Sequence, residues 1–157
     1  MPDIEFVHLH EIPETQLLEL MNDARVRKHL PLLTTEFSPA DCRAFVEAKR
    51  RLWDEHGYGP WAVLVEGAFA GWGGLQPEHG EADFALVLAP RFWGWGRRIF
   101  GEIVARAFKQ MNLSSITALL PPSRTNARVI TRLGFVEDGQ LMVGDQTFVR
   151  FRMHRSE

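Results

Sequence analysis

Residues 82 to 120 predict a strand, a glycine-bearing loop, a long helix and a second strand, in that order. Ala82 to Leu88 is mostly apolar, and apolar side chains then recur at i, i+3 and i+4 from Ile99 to Met111, which is the stripe of an amphipathic helix. Two strands connected through a helix lie parallel, with a right-handed crossover. This unit therefore requires a sheet with at least one parallel pair and a helix packed against it.

The flanking segments predict antiparallel strands and more helices. Further strands are indicated at 4–9, 61–66, 68–75 and 115–120, from Phe135, and in a hairpin of 141–143 with 147–153; helices are indicated at 14–30, 39–56, 99–111 and 125–133. The order β-α-α-β-β-β-α-β-α-β-β indicates an α+β fold. We expect a mixed, mostly antiparallel sheet of about seven strands with about four helices.

The composition is that of an ordinary globular chain, with 45% hydrophobic and 24% charged residues over a length of 157. This length suits one domain, 1–157. Lys and Arg number 18 against 20 Asp and Glu, a net charge of -2, so we expect neither a nucleic-acid nor a membrane partner. The acidic start lacks a signal-peptide pattern and no apolar run is long enough to span a membrane, so we expect a cytoplasmic protein.

Cysteine and histidine usage narrows the chemistry further. The single cysteine excludes an intramolecular disulfide, and it falls on a stripe at helical spacing that indicates a core position: Cys42, Phe45, Val46, Lys49, Leu52 and Trp53. His8 and His10 would share one strand face, but no third ligand accompanies them in the sequence. We therefore expect no metal site.

The loop before the long helix, residues 91 to 98, has the composition of an anion site. It reads Arg-Phe-Trp-Gly-Trp-Gly-Arg-Arg. Gly94 and Gly96 would let the backbone turn with positive φ and approach a ligand closely. Free N–H groups and the dipole at the helix start favour a negative charge, and the three arginines add donors suited to phosphate. We expect a cradle for pyrophosphate; the alternative is a tight turn with solvated arginines.

Two common nucleotide-binding motifs fit this loop less well. A Rossmann fingerprint needs a small third residue where this chain has Ile99, and the surrounding strand order is not doubly wound. A Walker loop needs Gly-Lys-Ser/Thr, which the sequence lacks. An NAD-dependent oxidoreductase remains an alternative that rests on Gly94 and Gly96 alone.

Arg91-x-x-Gly94-x-Gly96 resembles the (Q/R)-x-x-G-x-(G/A) signature of the GNAT superfamily of acetyltransferases. A second register would place Trp93 and Gly94 on the aromatic-Trp-Gly step of the ribosomal-protein N-terminal acetyltransferase branch. That register would turn Glu102 and Arg106 toward the core. We prefer the first register, which buries Ile103 and Val104.

Three other segments strengthen the resemblance, and together the motifs span about residues 5–153. Leu88-Ala89-Pro90 is similar to the V-x-P that closes the family's fourth strand. The run from Arg128 to Phe135 resembles the helix-to-strand ending of the family, and Met21 to Pro31 resembles a segment of the ribosomal-protein branch.

The resemblance implies a place for acetyl-CoA, in a V between the fourth and fifth strands, here 82–88 and 115–120. It implies that backbone N–H groups of Leu86, Val87 and Leu88 bind the acetyl carbonyl and the pantetheine arm, as an oxyanion hole. The remaining cofactor-binding residues would be Arg91, Gly94, Trp95, Gly96, Arg97, Arg98 and Asn126. The amide of Asn126, where the branch has a Ser, would bond the pantetheine or cap its helix.

The resemblance also implies which residues carry the chemistry. The acceptor amine must be neutral to attack, and a carboxylate acting through water is the usual aid. Glu81 and Asp83 flank the start of the fourth strand, where the family often places that carboxylate, and they share one strand face. Many members have a Tyr acid where this chain has Ile130, so water or Ser123 would protonate the departing thiolate.

The expected activity is metal-free transfer of an acetyl group from acetyl-CoA to a primary amine. The acceptor stays open among a protein N-terminus, a polyamine-like metabolite and an aminoglycoside-like compound. The missing Tyr motivates a rival, a non-catalytic acyl-CoA-binding or interaction module. One of Trp93 and Trp95 is expected to pack on CoA or on a partner chain, which leaves a homodimer open.

Overall fold

The computed structural model describes residues 3–30, 33–120 and 127–155. The strands are β1 (Ile4–Val7), β2 (Pro60–Val65), β3 (Ala68–Glu78), β4 (Glu81–Leu88), β5 (Ser115–Leu120), β6 (Val136–Val143) and β7 (Gln146–His154). The helices are α1 (Glu14–Asn22), α2 (Ala24–Arg27), α3 (Pro39–His56), α4 (Gly96–Lys109) and α5 (Ala127–Arg132), with short 3-10 helices at Leu9–Glu11 and Pro90–Trp95. Over these ranges, no helix combines the length and the apolar character that crossing a membrane needs.

The strands form one sheet in the order β1-β2-β3-β4-β5-β7-β6. Every neighbouring pair is antiparallel except β4 and β5, which are parallel and are connected through α4. The predicted mixed, mostly antiparallel sheet of seven strands is therefore confirmed. The predicted helix over 14–30 is divided at Asp23, whose carboxylate accepts the N–H groups of Arg25 and Val26 and so starts α2.

The two parallel strands separate beyond their first contact. Asp83 of β4 and Thr117 of β5 are register partners, and no further pair joins these strands in the described part of the chain. β4 nevertheless continues to Leu88 and β5 to Leu120. The opposite edge of β4 stays paired with β3 along its whole length. β4 and β5 thus open as a V from Asp83 toward the loop that follows Leu88.

The sheet carries a separate core on each face. On one face α4 packs with Ile99 and Ile103, both 0% exposed, whereas Glu102 points to solvent. The burial of Ile103 agrees with the preferred register of the loop motif, whereas Val104 is half-buried and Arg106 lies over the rings of Phe6 and Trp61. On the other face α1 and α3 cover Trp72 of β3 and Val87 of β4. The V between β4 and β5 therefore lies in the sheet, between the layer formed by α4 and the layer formed by α1 and α3.

α3 begins at a complete capping box. Ser38 Oγ accepts the N–H of Asp41 at 3.1 Å, and Asp41 Oδ2 accepts the N–H of Ser38 at 3.0 Å. Pro39 occupies the first turn, and Gly57 ends the helix with a φ of 75°. Cys42 is 1% exposed on the inner face, as its position on the helical stripe predicted.

We expect Ser38→Ala to lower the free energy of unfolding by about 1 kcal/mol, because the Asp41 N–H loses its acceptor. The melting temperature should fall by about 2–4 °C in a thermal denaturation followed by circular dichroism. Ser38→Asn is the matched control, because its side-chain oxygen can still accept the Asp41 N–H and asparagine is as favourable an N-cap as serine. Equal losses in the two variants would show that the hydroxyl does not cap α3.

Candidate active site

The carboxylate of Asp83 lies at the point of the V. Asp83 is 7% exposed, and the buried hydroxyl of Thr117 donates a hydrogen bond to its Oδ1 at 2.7 Å. Burial raises the pKa of Asp83 to about 7, with a smaller rise from the Glu78 carboxylate and an opposing effect of the Thr117 hydrogen bond. A carboxyl group that titrates near neutrality can take up and release a proton at working pH, which is what a general base does.

The other candidate carboxylate, Glu81, is paired. Its Oε2 forms an ion pair with the guanidinium of Arg152 on β7. Arg152 also donates Nε–H to Asp138 Oδ2 at 2.8 Å and Nη1–H to Ser115 Oγ at 2.9 Å. Asp83 has no cationic partner within ion-pair distance in the described ranges. The two carboxylates therefore share a strand face but differ in environment, and Asp83 is the one free to accept a proton.

The loop after β4 is wound more tightly than its sequence predicts. Residues 90 to 95 form a 3-10 helix that runs directly into α4, and the N–H of Gly96 donates to the carbonyl of Trp93. Gly96 has a φ of -54°, and Gly94 is likewise outside the left-handed region. The prediction that both glycines have positive φ is wrong, because a helical loop needs only ordinary helical dihedrals.

The space around these glycines is nevertheless open. A Cβ atom added at Gly94 would meet nothing within 4 Å, and one added at Gly96 would meet only Leu88 Cδ1 at 3.9 Å. Neither the backbone nor the neighbouring side chains therefore require glycine here, although glycine costs a helix roughly 1 kcal/mol relative to alanine. The bare backbone leaves room for an anion beside this loop, whereas the N–H of Gly96 itself is already donated to the carbonyl of Trp93.

The arginines around the loop differ in how they are engaged. Arg98 pairs with Asp3 at 3.0 Å on the surface and lies over the ring of Trp95, and Arg91 lies over the ring of Phe92. Arg97 is exposed and has no carboxylate partner in the described part of the chain. Arg91 and Arg97 are thus the cations available to an anion at this loop.

A cavity of about 280 Å³ lies beside the open edge of β4. It is lined by Leu86, Val87 and Leu88 together with Val26, His29, Leu30 and Trp93. Trp93 is 47% exposed; its Nε1–H donates to the carbonyl of Leu88 at 2.9 Å, and its ring meets His29 edge to face. A wider groove of about 920 Å³ lies beyond Trp93, between α1 and the β2–β3 turn, away from Asp83. The smaller cavity is the one that adjoins the V.

The other candidate site residues either lie outside the described residues or pack against a core. Ser123 and Asn126 lie outside the described residues. Ile130 packs against the core around α4, and Tyr58 packs there as well, in the turn before β2, where burial raises the pKa of its hydroxyl. No described tyrosine therefore replaces Ile130 as an acid. Trp95 also packs against that core, which leaves Trp93 as the exposed aromatic of the loop.

Three groups on or over the sheet face that carries Asp83 were not among the predicted site residues. Thr117 is one polar residue in an apolar strand, and Arg152 is one arginine of an alternating strand, so neither stands out before the strands are paired. Lys49 carried a visible signal, because it interrupts the apolar stripe of α3 at core spacing. Its Nζ donates to Gln76 Oε1 at 2.7 Å on the face of the sheet that carries Asp83. Within the described ranges, no group of three or more metal-ligating side chains converges.

Comparison with known proteins gives the class of protein to which this chain belongs. The model of the acetyltransferase (GNAT) domain matches residues 6–136, which is most of the chain. The chain therefore belongs to the GNAT acetyltransferase family, and its class of enzyme is acyltransferase. No curated protein matches the chain significantly.

Solved structures share the fold across nearly the whole chain. Spermidine N-acetyltransferase from Vibrio cholerae, solved with CoA and spermine, is 17% identical with a TM-score of 0.76, over 97% of this chain and 95% of that one. An aminoglycoside acetyltransferase in complex with coenzyme A is 15% identical with a TM-score of 0.76, over 97% and 94%. A candidate ribosomal-protein-serine acetyltransferase from Vibrio cholerae is 14% identical with a TM-score of 0.73, over 99% and 95%.

Proposed function

We propose that this chain is an acetyl-CoA-dependent N-acetyltransferase whose acceptor is a primary amine and whose general base is Asp83. The observation that carries the proposal is the position and environment of Asp83: a buried carboxyl at the point of the V, hydrogen-bonded to Thr117, with a pKa of about 7. Residues 1–157 would form one acetyltransferase domain.

The V and the loop offer complementary places for the two ends of acetyl-CoA. Beyond Asp83 the edge of β4 that faces β5 has no strand partner, so the backbone N–H groups of Leu86 and Leu88 are candidates to bind the pantetheine arm and the thioester carbonyl. The N–H of Val87 points instead to β3, as does that of Ala89, which donates to the carbonyl of Ala70. The pyrophosphate would lie against the bare backbone at Gly94 and Gly96, with Arg91 and Arg97 as cations and Trp95 and Arg98 flanking it.

The chemistry follows from these placements. Asp83 would take a proton from the acceptor ammonium through bound water and leave a neutral amine. The amine would attack the thioester carbonyl, form the C–N bond and release the thiolate of CoA. Because Leu86 to Leu88 lie about 10–16 Å along β4 from Asp83, a chain of bound waters in the V would connect the attacking nitrogen to the Asp83 carboxylate. Glu81 is a weaker candidate for the base because Arg152 already pairs with it.

The acceptor class rests on the fold and its relatives. Two structural neighbours carry names that specify amine acceptors, spermidine and an aminoglycoside, and a third is described as acting on ribosomal-protein serine. We infer a small-molecule or peptide primary amine. Ser123 as the proton donor to the thiolate and Asn126 as a pantetheine ligand stay predictions, as do a cytoplasmic location, a homodimer and the absence of nucleic-acid and membrane partners.

Thermal shifts with acetyl-CoA, free CoA and NAD test the cofactor. At a hundred times its dissociation constant a ligand adds about 2.7 kcal/mol, which for this length raises the melting temperature by roughly 5–10 °C. We expect that rise with acetyl-CoA and CoA and none with NAD. A rise with NAD alone would revive the oxidoreductase interpretation. Binding of acetyl-CoA without thiol release in the presence of any amine of a broad panel would favour the non-catalytic module.

A further inference from the structure

The cavity beside the open edge of β4 has an apolar lining. Its volume is about 280 Å³, and five of its seven lining residues are aliphatic: Val26, Leu30, Leu86, Val87 and Leu88. The other two are His29 and Trp93, and the Nε1–H of Trp93 is already donated to the carbonyl of Leu88. Among the described residues that line this cavity there is thus no acidic side chain, and the imidazole of His29 is the one titratable group.

The cavity lies on the same side of the sheet as Asp83. Side chains alternate along a strand, so those of Asp83 and Val87 project from one face of β4. The register agrees, because their partners on β3, Gln76 and Trp72, project from that face as well. Val87 packs with Val26 in the core that α1 and α3 cover, away from α4. A molecule in this cavity would therefore approach the edge of β4 from the side that carries the proposed base.

Trp93 and His29 are the exposed members of the lining. Trp93 is 47% exposed, and its ring meets that of His29 edge to face with the centroids 5.8 Å apart. The hydrogen bond from Nε1 to the carbonyl of Leu88, at 2.9 Å, holds the indole against the end of β4. An indole that is fixed at one edge and bare over nearly half of its surface offers a contact for an apolar or aromatic group.

The charges around the cavity disfavour an acceptor with several positive charges. A polyamine or an aminoglycoside keeps further ammonium groups when its reacting nitrogen is neutral, and a buried ammonium without a carboxylate or water is costly. The wider groove beyond Trp93 does carry carboxylates. There, however, Asp23 is paired with Arg25, and Glu11 accepts the backbone N–H of His8.

The size of the cavity points to one compact group. Ligand cavities commonly measure about 300–1,000 Å³, and this one is at the small end of that range with about 280 Å³. A single aromatic ring or branched aliphatic group suits such a space, whereas an aminoglycoside of several sugar rings is too large for it.

We propose that the acceptor is a primary amine with one apolar side group and no second positive charge, and that Trp93 determines this preference. The inference rests on the proposed function. The side group would lie against Trp93 and Val87, with the nitrogen directed to a thioester held by the N–H groups of Leu86 and Leu88.

The transfer itself balances in protons. The acceptor ammonium first gives one proton to Asp83 through bound water. The neutral nitrogen then attacks the thioester carbonyl, the C–N bond forms, the C–S bond breaks, and CoA leaves as the thiolate. The proton that the nitrogen loses on becoming an amide passes through water to that thiolate.

The experiment measures kcat/KM by thiol release from acetyl-CoA for 2-phenylethylamine, ethylamine, spermidine and kanamycin. We expect the value for 2-phenylethylamine to exceed the other three by roughly 10–200-fold, the discrimination that an apolar pocket achieves. Phenylalanine amide and a hexapeptide that begins with phenylalanine carry the same side group. Transfer to either one at the level of 2-phenylethylamine supports the inference, and the faster of the two distinguishes a small-molecule from a peptide source.

Variants of two lining residues test whether the preference arises in the cavity. Trp93→Ala should lower the ratio of kcat/KM for 2-phenylethylamine to that for ethylamine by roughly 10–100-fold and leave the affinity for CoA unchanged. Leu30 is half-buried, so a longer polar side chain can be accommodated there. Leu30→Glu should raise kcat/KM for spermidine about tenfold because it gives an ammonium group a carboxylate partner, and the uncharged control Leu30→Gln should not.

The outcomes separate this inference from the function on which it rests. Transfer to spermidine or kanamycin as fast as to 2-phenylethylamine would overturn the inference and leave the acetyltransferase intact. Weaker CoA binding by Trp93→Ala, or a higher kcat/KM with butyryl-CoA than with acetyl-CoA, would mean that the cofactor or its acyl chain occupies the cavity, and would overturn it as well. Absence of any acetyl-CoA-dependent thermal shift would instead contradict the proposed function.

Discussion

Replacing Asp83 by Asn is expected to lower kcat/KM roughly 10²–10⁴-fold, the range that a general base contributes, while making the folded protein more stable at pH 8. The two effects have opposite signs because they come from the same buried carboxylate. Asn can still accept the hydrogen bond of Thr117, so the substitution removes the charge and keeps the contact.

The pH dependence of this stability effect follows from linkage. The pKa of Asp83 is raised to about 7 in the folded protein and is near 3.8 in the unfolded chain, so the folded state binds the proton more tightly. Below the unfolded pKa Asp83 is protonated in both the folded and the unfolded state, and it does not lower the free energy of unfolding. As the pH rises from about 4 through 7 the carboxylate lowers the free energy of unfolding by a growing amount, which reaches on the order of 2–4 kcal/mol. Asp83→Asn should therefore match the wild type at pH 4 and exceed it at pH 8.

The activity profile tests the same assignment independently. Wild-type kcat/KM should rise about tenfold per pH unit up to about pH 7 and then level, because the base must be ionised. Thr117→Val should shift this rise of kcat/KM to higher pH, since the hydrogen bond from Thr117 stabilises the ionised carboxylate. Glu81→Gln should retain the rise of kcat/KM up to about pH 7 and should lower kcat/KM less than tenfold. If Glu81→Gln abolished this rise and Asp83→Asn did not, the assignment of the base would be reversed.

Replacing Gly96 by Glu is expected to weaken CoA binding at least 100-fold, equivalent to about 2.7 kcal/mol. The new side chain would fill the open space against the backbone, and its negative charge would repel the pyrophosphate at the helix start. Isothermal titration with CoA measures the loss directly.

The matched control is Gly101→Glu, the same substitution five residues further along the exposed side of α4. A Cβ at Gly101 meets nothing within 4 Å and one at Gly96 meets only Leu88 Cδ1 at 3.9 Å, so the side chain fits in both variants. Glutamate has a better helix propensity than glycine, so neither variant should unfold. We expect wild-type CoA affinity in Gly101→Glu. Equal CoA affinity in the two variants would contradict the placement of the pyrophosphate at this loop.

Much of the fold is readable from local patterns. The capping box at Ser38, the divided helix at Asp23 and the two-residue turn at Gly144-Asp145 each depend on neighbours in sequence. The apolar stripe of α4 likewise predicted the buried face of that helix, which includes Ile103. Such features are decided by backbone hydrogen bonds and side-chain spacing within a few residues, which the sequence displays directly.

The conformation of the loop shows where local reasoning fails. Two glycines predict positive φ because glycine alone adopts it freely, yet Gly96 is helical. Glycine is also used where a ligand needs bare backbone, and the open space around Gly94 and Gly96 is consistent with that second use. The sequence shows that glycine is present and does not distinguish between the two reasons.

What the sequence by itself determined is therefore the set of elements, the mixed sheet that they form and the two carboxylates that belong near the fourth strand. Only the tertiary structure decided which carboxylate is free. Glu81 and Asp83 are equivalent in sequence, two residues apart on one strand, and they differ because Arg152 reaches the first from β7 while β5 buries the second beside Thr117. Desolvation and ion pairing act through space, so the pKa that distinguishes Asp83 exists only once strands distant in the chain have been brought together.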